Sequence, residues 1–249
     1  MLLKDASILV VDDEPELLDI MADWFRREGA TVFVAENGAE ALSLVHDNHL
    51  DVVVSDIHMP VMDGVTMLQK IKSTSTYLPS VMFITGFYDI APREAYELGA
   101  EAMISKPVER KQLISIVSRI LTTREDLWRL LPADKADAVL LANFESLATA
   151  LTRGLIAFGR GGFCIYSTLQ LAEGPVDLLL DFGADQCVVT GQGIVRWNDL
   201  AEAQIGVEIT HIDDANRPWM LSLTEPNKSV SFIPRTSFTE RTLARRAPL

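Results

Sequence analysis

The chain has 249 residues, of which 48% are hydrophobic and 23% are charged. That length fits one large domain or two of ordinary size, and the composition is typical of a globular protein with an ample core. The formal net charge of −13 argues against a general nucleic-acid binder, because phosphate contacts need clustered Lys and Arg. The sequence shows neither a signal peptide nor an apolar run of the roughly 20 residues that a membrane span requires. We therefore expect a cytoplasmic location, with Cys164 and Cys187 as reduced thiols.

The first half of the chain alternates short apolar runs with amphipathic segments. Five strands are predicted, at residues 8–11, 31–35, 51–55, 81–85 and 102–105. A helix is predicted after each strand, at residues 15–28, 38–45, 63–71, 92–98 and 108–121. Five strand-then-helix units predict an α/β domain with a doubly wound, five-stranded parallel sheet.

Polar residues follow four of these strands at the point where each strand ends. They are Asp12 and Asp13, Asp56, Thr85 and Lys106. Ligands of such sheets bind at the carboxyl ends of the strands, so we expect these side chains to converge. Three carboxylates in one place repel each other unless a hard divalent cation joins them, and Lys and Thr beside them suit a phosphoryl group.

The motifs that contain these residues resemble the receiver domain of two-component response regulators. They are Val10-Val11-Asp12-Asp13-Glu14, Ser55-Asp56-Ile57-His58-Met59-Pro60-Val61-Met62-Asp63-Gly64, Thr85-Gly86 and Ser105-Lys106-Pro107. The resemblance covers residues 5–123. It implies that a sensor histidine kinase phosphorylates Asp56, and that the domain catalyses only its own phosphorylation and dephosphorylation.

The resemblance also implies a role for each residue of the site. Asp13 and Asp56, with the backbone carbonyl of His58, would hold Mg²⁺, and Asp12 would act largely through water. Thr85 and Lys106 would bind the phosphoryl oxygens.

Two features of the motifs bear on these roles. Met103 stands where the family has an aromatic switch residue. The residues needed for phosphorylation are therefore present, but the residue that usually transmits the signal is replaced. A hydrolase of the haloacid dehalogenase type also uses a nucleophilic Asp after a strand. Such an enzyme needs a second Asp two residues later, and His58 occupies that position, so the motifs fit the receiver domain better than this hydrolase.

The second half of the chain has a different pattern. The last helix of the first domain is expected to continue as a semi-rigid linker over residues 124–136. Residues 137–151 carry Leu and Phe at helical spacing and are predicted as a helix, with a strand over part of the segment as the alternative. Short strands are then predicted at residues 155–158, 163–167, 176–181, 187–197 and 204–209. This pattern predicts a small antiparallel β-barrel over residues 137–232.

This second half resembles the PilZ domain. The resemblance lies in Gly159-Arg160-Gly161-Gly162-Phe163-Cys164-Ile165, in Gly193-Ile194-Val195-Arg196-Trp197 and in Gly206-Val207-Glu208-Ile209. PilZ domains that bind cyclic di-GMP carry Arg-x-x-x-Arg and then Asp/Asn-x-Ser-x-x-Gly. Only Gly162 survives from the second motif, because Ala157 and Gly159 replace its Asp/Asn and Ser, and no upstream arginine pair has the required spacing.

We therefore expect no binding of cyclic di-GMP, since the arginine pair is its main source of affinity. The expected output is binding to a downstream protein partner, and a homodimer is left open. The alternative is a dual-input regulator that does bind the dinucleotide, with Arg153, Arg160 and Gly162 as its weak candidate contacts. DNA binding is not expected, because the second half has no helix-turn-helix pattern and no basic recognition helix. Residues 233–249 form a basic segment that we expect to be a disordered tail.

Overall fold

A computed structural model describes residues 1–86, 90–130, 136, 138–224 and 229–236. The chain divides into two compact units, each with its own hydrophobic core. Among the described residues, the first unit contains Met1–Thr123 together with Val230–Phe232, and the second contains those of Arg124–Ser229 and residues 233–236. Within the described residues, no helix has both the length and the apolar character to cross a membrane.

The first unit contains a parallel sheet of five strands in the order β2-β1-β3-β4-β5. The strands are β1 Ser7–Val11, β2 Thr31–Ala35, β3 Val52–Asp56, β4 Ser80–Thr85 and β5 Ala102–Ser105. The helices are α1 Pro15–Arg27, α2 Gly38–Asp47, α3 Gly64–Thr74, α4 Pro92–Leu98 and α5 Arg110–Ile120. The α/β prediction with a five-stranded parallel sheet is confirmed.

Both faces of this sheet are buried, which explains why its central strands are almost entirely apolar. In β1, Ile8 and Val10 pack with α1 and α5, whereas Leu9 and Val11 pack with α2, α3 and α4. Side chains that begin two of the helices also fix the chain locally. The Asn37 side chain accepts hydrogen bonds from two backbone amides at the start of α2, and Asp63 accepts one from Thr66 at the start of α3.

The second unit contains a six-stranded sheet in the order β6-β9-β10-β11-β8-β7. The strands are β6 Ala138–Phe144, β7 Ile156–Phe158, β8 Gly162–Tyr166, β9 Gly174–Phe182, β10 Cys187–Asp199 and β11 Gln204–Ile212. The helices are α6 Arg124–Arg129, α7 Leu147–Thr152 and α8 Arg217–Leu223. The expectation of a purely antiparallel sheet is wrong at one pair, because β6 runs parallel to β9.

The helix predicted over residues 137–151 is wrong for its first part. The segment forms β6, in which Leu140 is buried while Val139 and Leu141 are exposed, and then the short helix α7. A spacing of four residues, as between Leu140 and Phe144, fits one face of a helix and one face of a strand equally well. The alternative that included a strand was therefore the better interpretation.

The prediction that the last helix of the first domain continues as a linker over residues 124–136 is also wrong. Helix α5 ends at Ile120, and α6 is a separate helix that belongs to the second unit. Leu127 and Trp128 of α6 are buried in the core of the second unit, and the indole N–H of Trp128 donates to the carbonyl oxygen of Ile209 at 3.0 Å. Residues 131–135 and 137 lie outside the described residues.

The basic tail predicted over residues 233–249 begins with ordered contacts. Ile233 and Thr236 are buried, and the Gln204 side chain forms hydrogen bonds with both the carbonyl oxygen and the amide of Thr236, at 3.2 and 3.4 Å. The expectation of disorder is therefore wrong for residues 233–236. Residues 237–249 lie outside the described residues.

Candidate functional site

The predicted polar residues of the first unit gather at the carboxyl edge of the parallel sheet. Asp12 and Asp13 follow β1, Asp56 ends β3, Thr85 ends β4 and Lys106 follows β5. Carboxylate oxygens of Asp12, Asp13 and Asp56 all lie within 4.8 Å of one another. The sheet thus brings together side chains that are up to 94 residues apart in the sequence.

Asp56 is nearly buried, and its two carboxylate oxygens have different partners. Oδ1 accepts a hydrogen bond from the backbone N–H of Ile57 at 2.7 Å, and Oδ2 accepts one from Nζ of Lys106 at 2.9 Å. These two contacts fix the direction of the carboxylate before any ligand arrives. Such fixed geometry is what lets a weak oxygen nucleophile react.

Asp12 is fully buried and borders the same space. Its Oδ1 accepts a hydrogen bond from the backbone N–H of Glu14 at 2.9 Å, and its Oδ2 lies 3.4 Å from Nζ of Lys106. Burial raises the pKa of the Asp12 carboxyl, and the negative charge of Asp56 adds to this shift, although the Glu14 amide and Lys106 oppose it. An additional positive charge in this space would therefore stabilise the ionised form of Asp12.

Lys106 is the cation that partly balances these acids. Burial by itself lowers the pKa of its ammonium group, but the hydrogen bond and charge of Asp56, with those of Asp12, outweigh burial and raise the pKa overall. Lys106 is therefore positively charged at neutral pH. Its Nζ also lies 3.6 Å from Oε1 of the more exposed Glu14.

The chemistry of these donors fits a magnesium ion. Asp12, Asp13 and Asp56 supply only oxygen ligands, and Asp13 is exposed, so an ion could keep some of its water molecules there. One ammonium group does not balance three carboxylates, which favours binding of a divalent cation. His58 has an exposed side chain and lies two residues after Asp56, where its backbone carbonyl remains a candidate ligand.

Thr85 and Met103 lie on the neighbouring strands β4 and β5. The Thr85 hydroxyl donates to the carbonyl oxygen of Gly86 at 2.8 Å. Met103 pairs with Phe83 across the two strands and packs, partly buried, on the side of the sheet that carries α3 and α4. Met103, at the position where the resemblance places an aromatic residue, therefore lies on the face of the sheet that α3 and α4 cover.

The loop that carries Asp56 depends on Gly64, the first residue of α3. Its backbone N–H donates to the carbonyl oxygen of Ile57 at 2.9 Å. A Cβ atom at Gly64 would lie only 2.4 Å from the carbonyl oxygen of Asp56 and 3.2 Å from the Phe83 ring. Only glycine allows this close approach of the two backbone segments.

Sequence reasoning did not identify Ser55 as part of this site. Its hydroxyl donates to the carbonyl oxygen of Asp56 at 2.6 Å, and the residue is fully buried. A serine directly after the apolar residues 52–54, within a buried strand, was the signal that could have identified it, since a buried hydroxyl needs a partner.

The candidate residues of the second unit do not form one cluster in the described contacts. Arg153 follows α7 and is exposed, whereas Arg160 is 6% exposed and lies with Gly162 at the turn between β7 and β8. The amide of Gly159 donates to the carbonyl oxygen of Gly162 at 2.8 Å, which closes this turn. A Cβ atom at Gly162 would lie 1.9 Å from the carbonyl oxygen of Val207, so strand packing alone requires this glycine.

Comparison with known proteins shows which family the first unit resembles. The family model of the response regulator receiver domain matches residues 8–118. Regulatory protein AtoC of Escherichia coli (strain K12) is 37% identical over 115 residues, which are 46% of this chain and 25% of that protein. Response regulator SaeR of Staphylococcus aureus (strain USA300) is 28% identical over 144 residues, which are 57% of this chain and 62% of that protein.

A solved structure gives a similar match. The receiver domain of NtrX from Brucella abortus has 32% sequence identity and a TM-score of 0.43, and the match covers 46% of this chain and 97% of that chain. The matched part of this chain spans less than two thirds of the length of AtoC and SaeR. The family match and these relatives coincide with the parallel sheet and its acidic edge, and the N-terminal domain of this chain is therefore a receiver domain of the response regulator family of two-component systems.

Proposed function

We propose that this chain is a response regulator that accepts a phosphoryl group on Asp56 from a sensor histidine kinase, in a reaction that requires Mg²⁺. The observation that carries the proposal is the arrangement of Asp12, Asp13 and Asp56 around one space, with Lys106 bonded to the proposed acceptor. The chain carries out its own phosphorylation and dephosphorylation and acts on no other substrate.

The residues of the site divide the chemistry between them. A carboxylate oxygen of Asp56 attacks the phosphorus of the kinase phosphohistidine, the P–N bond breaks, and the histidine nitrogen keeps the bonding electrons. Lys106 stabilises the negative charge on the phosphoryl oxygens, and the Thr85 hydroxyl leaves the Gly86 carbonyl to donate to one of them. When bound, Mg²⁺ supplies further positive charge against the same oxygens.

A phosphorylation assay on the full chain tests this proposal. With acetyl phosphate and Mg²⁺, we expect a shifted band on a phosphate-affinity gel, and no such band with EDTA or in the Asp56→Asn variant. Asp47→Asn is the matched control, because it removes an exposed acid at the end of α2. A shifted band of equal intensity in Asp56→Asn would refute Asp56 as the acceptor.

For the second unit we propose a PilZ-like output domain that binds a protein partner. The proposal is supported by the Gly-rich turn between β7 and β8 and by the long antiparallel pair β10–β11, which carry the motifs of the resemblance. An apolar patch supports a protein partner. Val139 and Leu141 of the edge strand β6 are 55% and 52% exposed, and Leu179 and Val188 lie on the same face of β9 and β10.

We also propose that this domain does not bind cyclic di-GMP. Ala157 and Gly159 offer no side-chain hydrogen bond, and the nearly buried Arg160 has little surface to offer a ligand. Calorimetric titration of the full chain with cyclic di-GMP should therefore show no binding at micromolar concentration. A variant with Ala157→Asp and Gly159→Ser restores both motif side chains and serves as the comparison. Micromolar binding by the parent chain would favour the dual-input regulator.

The remaining parts of the proposal concern location and DNA binding. We propose a cytoplasmic protein, where a sensor histidine kinase presents its phosphohistidine. Binding to DNA is not part of the proposal. The second unit is acidic, and its described helices have only six or seven residues, which is short for a recognition helix.

A further inference from the structure

Helix α4 of the receiver domain is short and depends on contacts outside itself. It has seven residues, no side chain caps its N-terminus, and Gly99 ends it with a left-handed backbone at φ 104°. A helix of this length has few internal hydrogen bonds and is marginal without tertiary support. At its C-terminal end, the carbonyl oxygen of Tyr96 accepts a local hydrogen bond from the Gly99 amide at 3.2 Å and has room for a second donor.

Residues Val230–Phe232, which belong to the same unit, supply further donors to this end of α4. The amide of Phe232 donates to the carbonyl oxygen of Tyr96 at 2.9 Å, and the Ser231 hydroxyl donates to the carbonyl oxygen of Glu97 at 2.7 Å. The two hydrogen bonds therefore complete the C-terminal end of α4.

Apolar packing strengthens the same contact. The rings of Tyr96 and Phe232 stack with centroids 6.0 Å apart, and the two residues are 3% and 1% exposed. A Cβ atom at Gly99 would lie 2.9 Å from the carbonyl oxygen of Val230, so glycine is needed there for space as well as for its backbone conformation. The surface of α4 is thus shaped to the segment that covers it.

The chain connects this contact to the phosphorylation site. Thr85 donates its hydroxyl hydrogen bond to Gly86, and six residues separate Thr85 from the first residue of α4. Because α4 is marginal, a small change near its start is enough to alter how well its end fits Val230–Phe232.

We propose that Val230–Phe232 is a latch on α4, which phosphorylation of Asp56 releases. The proposal rests on the proposed phosphorylation of Asp56. The released latch uncovers Tyr96 and the end of α4 for a partner and frees the segment itself. By linkage, removal of the latch strengthens binding at Asp56 by the same factor that phosphorylation weakens the latch.

Hydrogen–deuterium exchange on the full chain tests the latch. Peptides over residues 92–99 and 229–236 are followed with and without beryllofluoride plus Mg²⁺, a phosphoryl analogue whose binding is read separately by its ¹⁹F signal. The Phe232→Ala variant removes the buried ring, and Ser231→Ala removes a single hydrogen bond in case the first variant disturbs the fold. Leu200→Ala is the matched control, because Leu200 is 68% exposed.

We expect Phe232→Ala to speed exchange in both peptides by about tenfold or more without any ligand, and Ser231→Ala by a few-fold, while Leu200→Ala changes neither. Beryllofluoride should speed exchange of both peptides in the parent chain and bind more tightly to Phe232→Ala. Unchanged exchange in Phe232→Ala and Ser231→Ala, or in the parent chain with beryllofluoride bound, would overturn the latch. Absence of the bound ¹⁹F signal would refute the phosphoacceptor site itself, and with it the control of the latch.

Discussion

The repulsion among the three carboxylates can be tested through stability. In the Asp13→Asn variant, an exposed carboxylate becomes neutral with little change in shape. Its oxygen lies within 4.8 Å of those of Asp12 and Asp56. Like charges at about 5 Å repel by roughly 1 kcal/mol per pair in a water-like dielectric and by about 3 kcal/mol at an effective constant of 20.

Because Asp13 is exposed, the smaller value applies, and the attraction of Lys106 for Asp13 offsets part of it. We expect Asp13→Asn to raise the free energy of unfolding of the receiver domain by about 1 kcal/mol when no divalent cation is present. The parent chain should instead gain about 1.4 kcal/mol when Mg²⁺ is added at ten times its Kd, and the variant should lose most of that gain.

Urea unfolding of the full chain in EDTA and in Mg²⁺, followed by circular dichroism, measures both effects. The Asp47→Asn variant changes the net charge equally but lies at the end of α2, so it controls for general electrostatic effects. The reasoning is refuted if Asp13→Asn lowers stability in EDTA, or if Mg²⁺ stabilises it as much as it stabilises the parent chain.

Three further predictions follow from contacts described above. Gly64→Ala should lower the free energy of unfolding by about 1–3 kcal/mol and slow phosphorylation, because the Cβ of the introduced alanine would overlap the carbonyl oxygen of Asp56. Urea unfolding measures the first effect, and the phosphate-affinity gel measures the second. Trp128→Ala should destabilise the second unit by about 3–5 kcal/mol without preventing phosphorylation, and a change below 1 kcal/mol in urea unfolding would mean that α6 does not belong to that core. Burial, with nearby acids that include Asp185, raises the pKa of the Cys187 thiol, so iodoacetamide at pH 8 should modify this thiol more slowly than a free cysteine. Mass spectrometry should show faster modification in the Asp185→Asn variant. An unchanged rate in that variant would contradict the role of Asp185.

The position of the acidic site was predictable from the sequence because parallel strands impose a simple rule. Once β1, β3 and β5 are recognised as buried strands, the residues that follow them must lie at one edge of the sheet. Asp12, Asp56 and Lys106 therefore meet there although they are far apart in the sequence. The buried hydroxyl of Ser55 was missed because its partner is a backbone carbonyl, which no side-chain motif reveals.

The second unit was harder to predict because its helices are short and its periodicity is ambiguous. The apolar residues of α6 continue the pattern of α5 in sequence, yet Trp128 turns to a different core. Helix α8, at Arg217–Leu223, was not predicted, because this region was assigned only to the β-barrel domain. The order of residues 233–236 depends on Gln204, a distant contact that local composition does not encode.

The receiver domain of this chain is discontinuous in sequence, since it includes Val230–Phe232 as well as its first 123 residues. During synthesis, the domain therefore lacks the cover of Tyr96 until residue 232 has been made. A shortened receiver that ends at Thr123, or a hybrid that joins this receiver to a foreign output domain, would expose Tyr96 and leave two carbonyl groups at the end of α4 without the partners described here. A hybrid protein that contains this receiver domain therefore has to retain residues 230–232 as well.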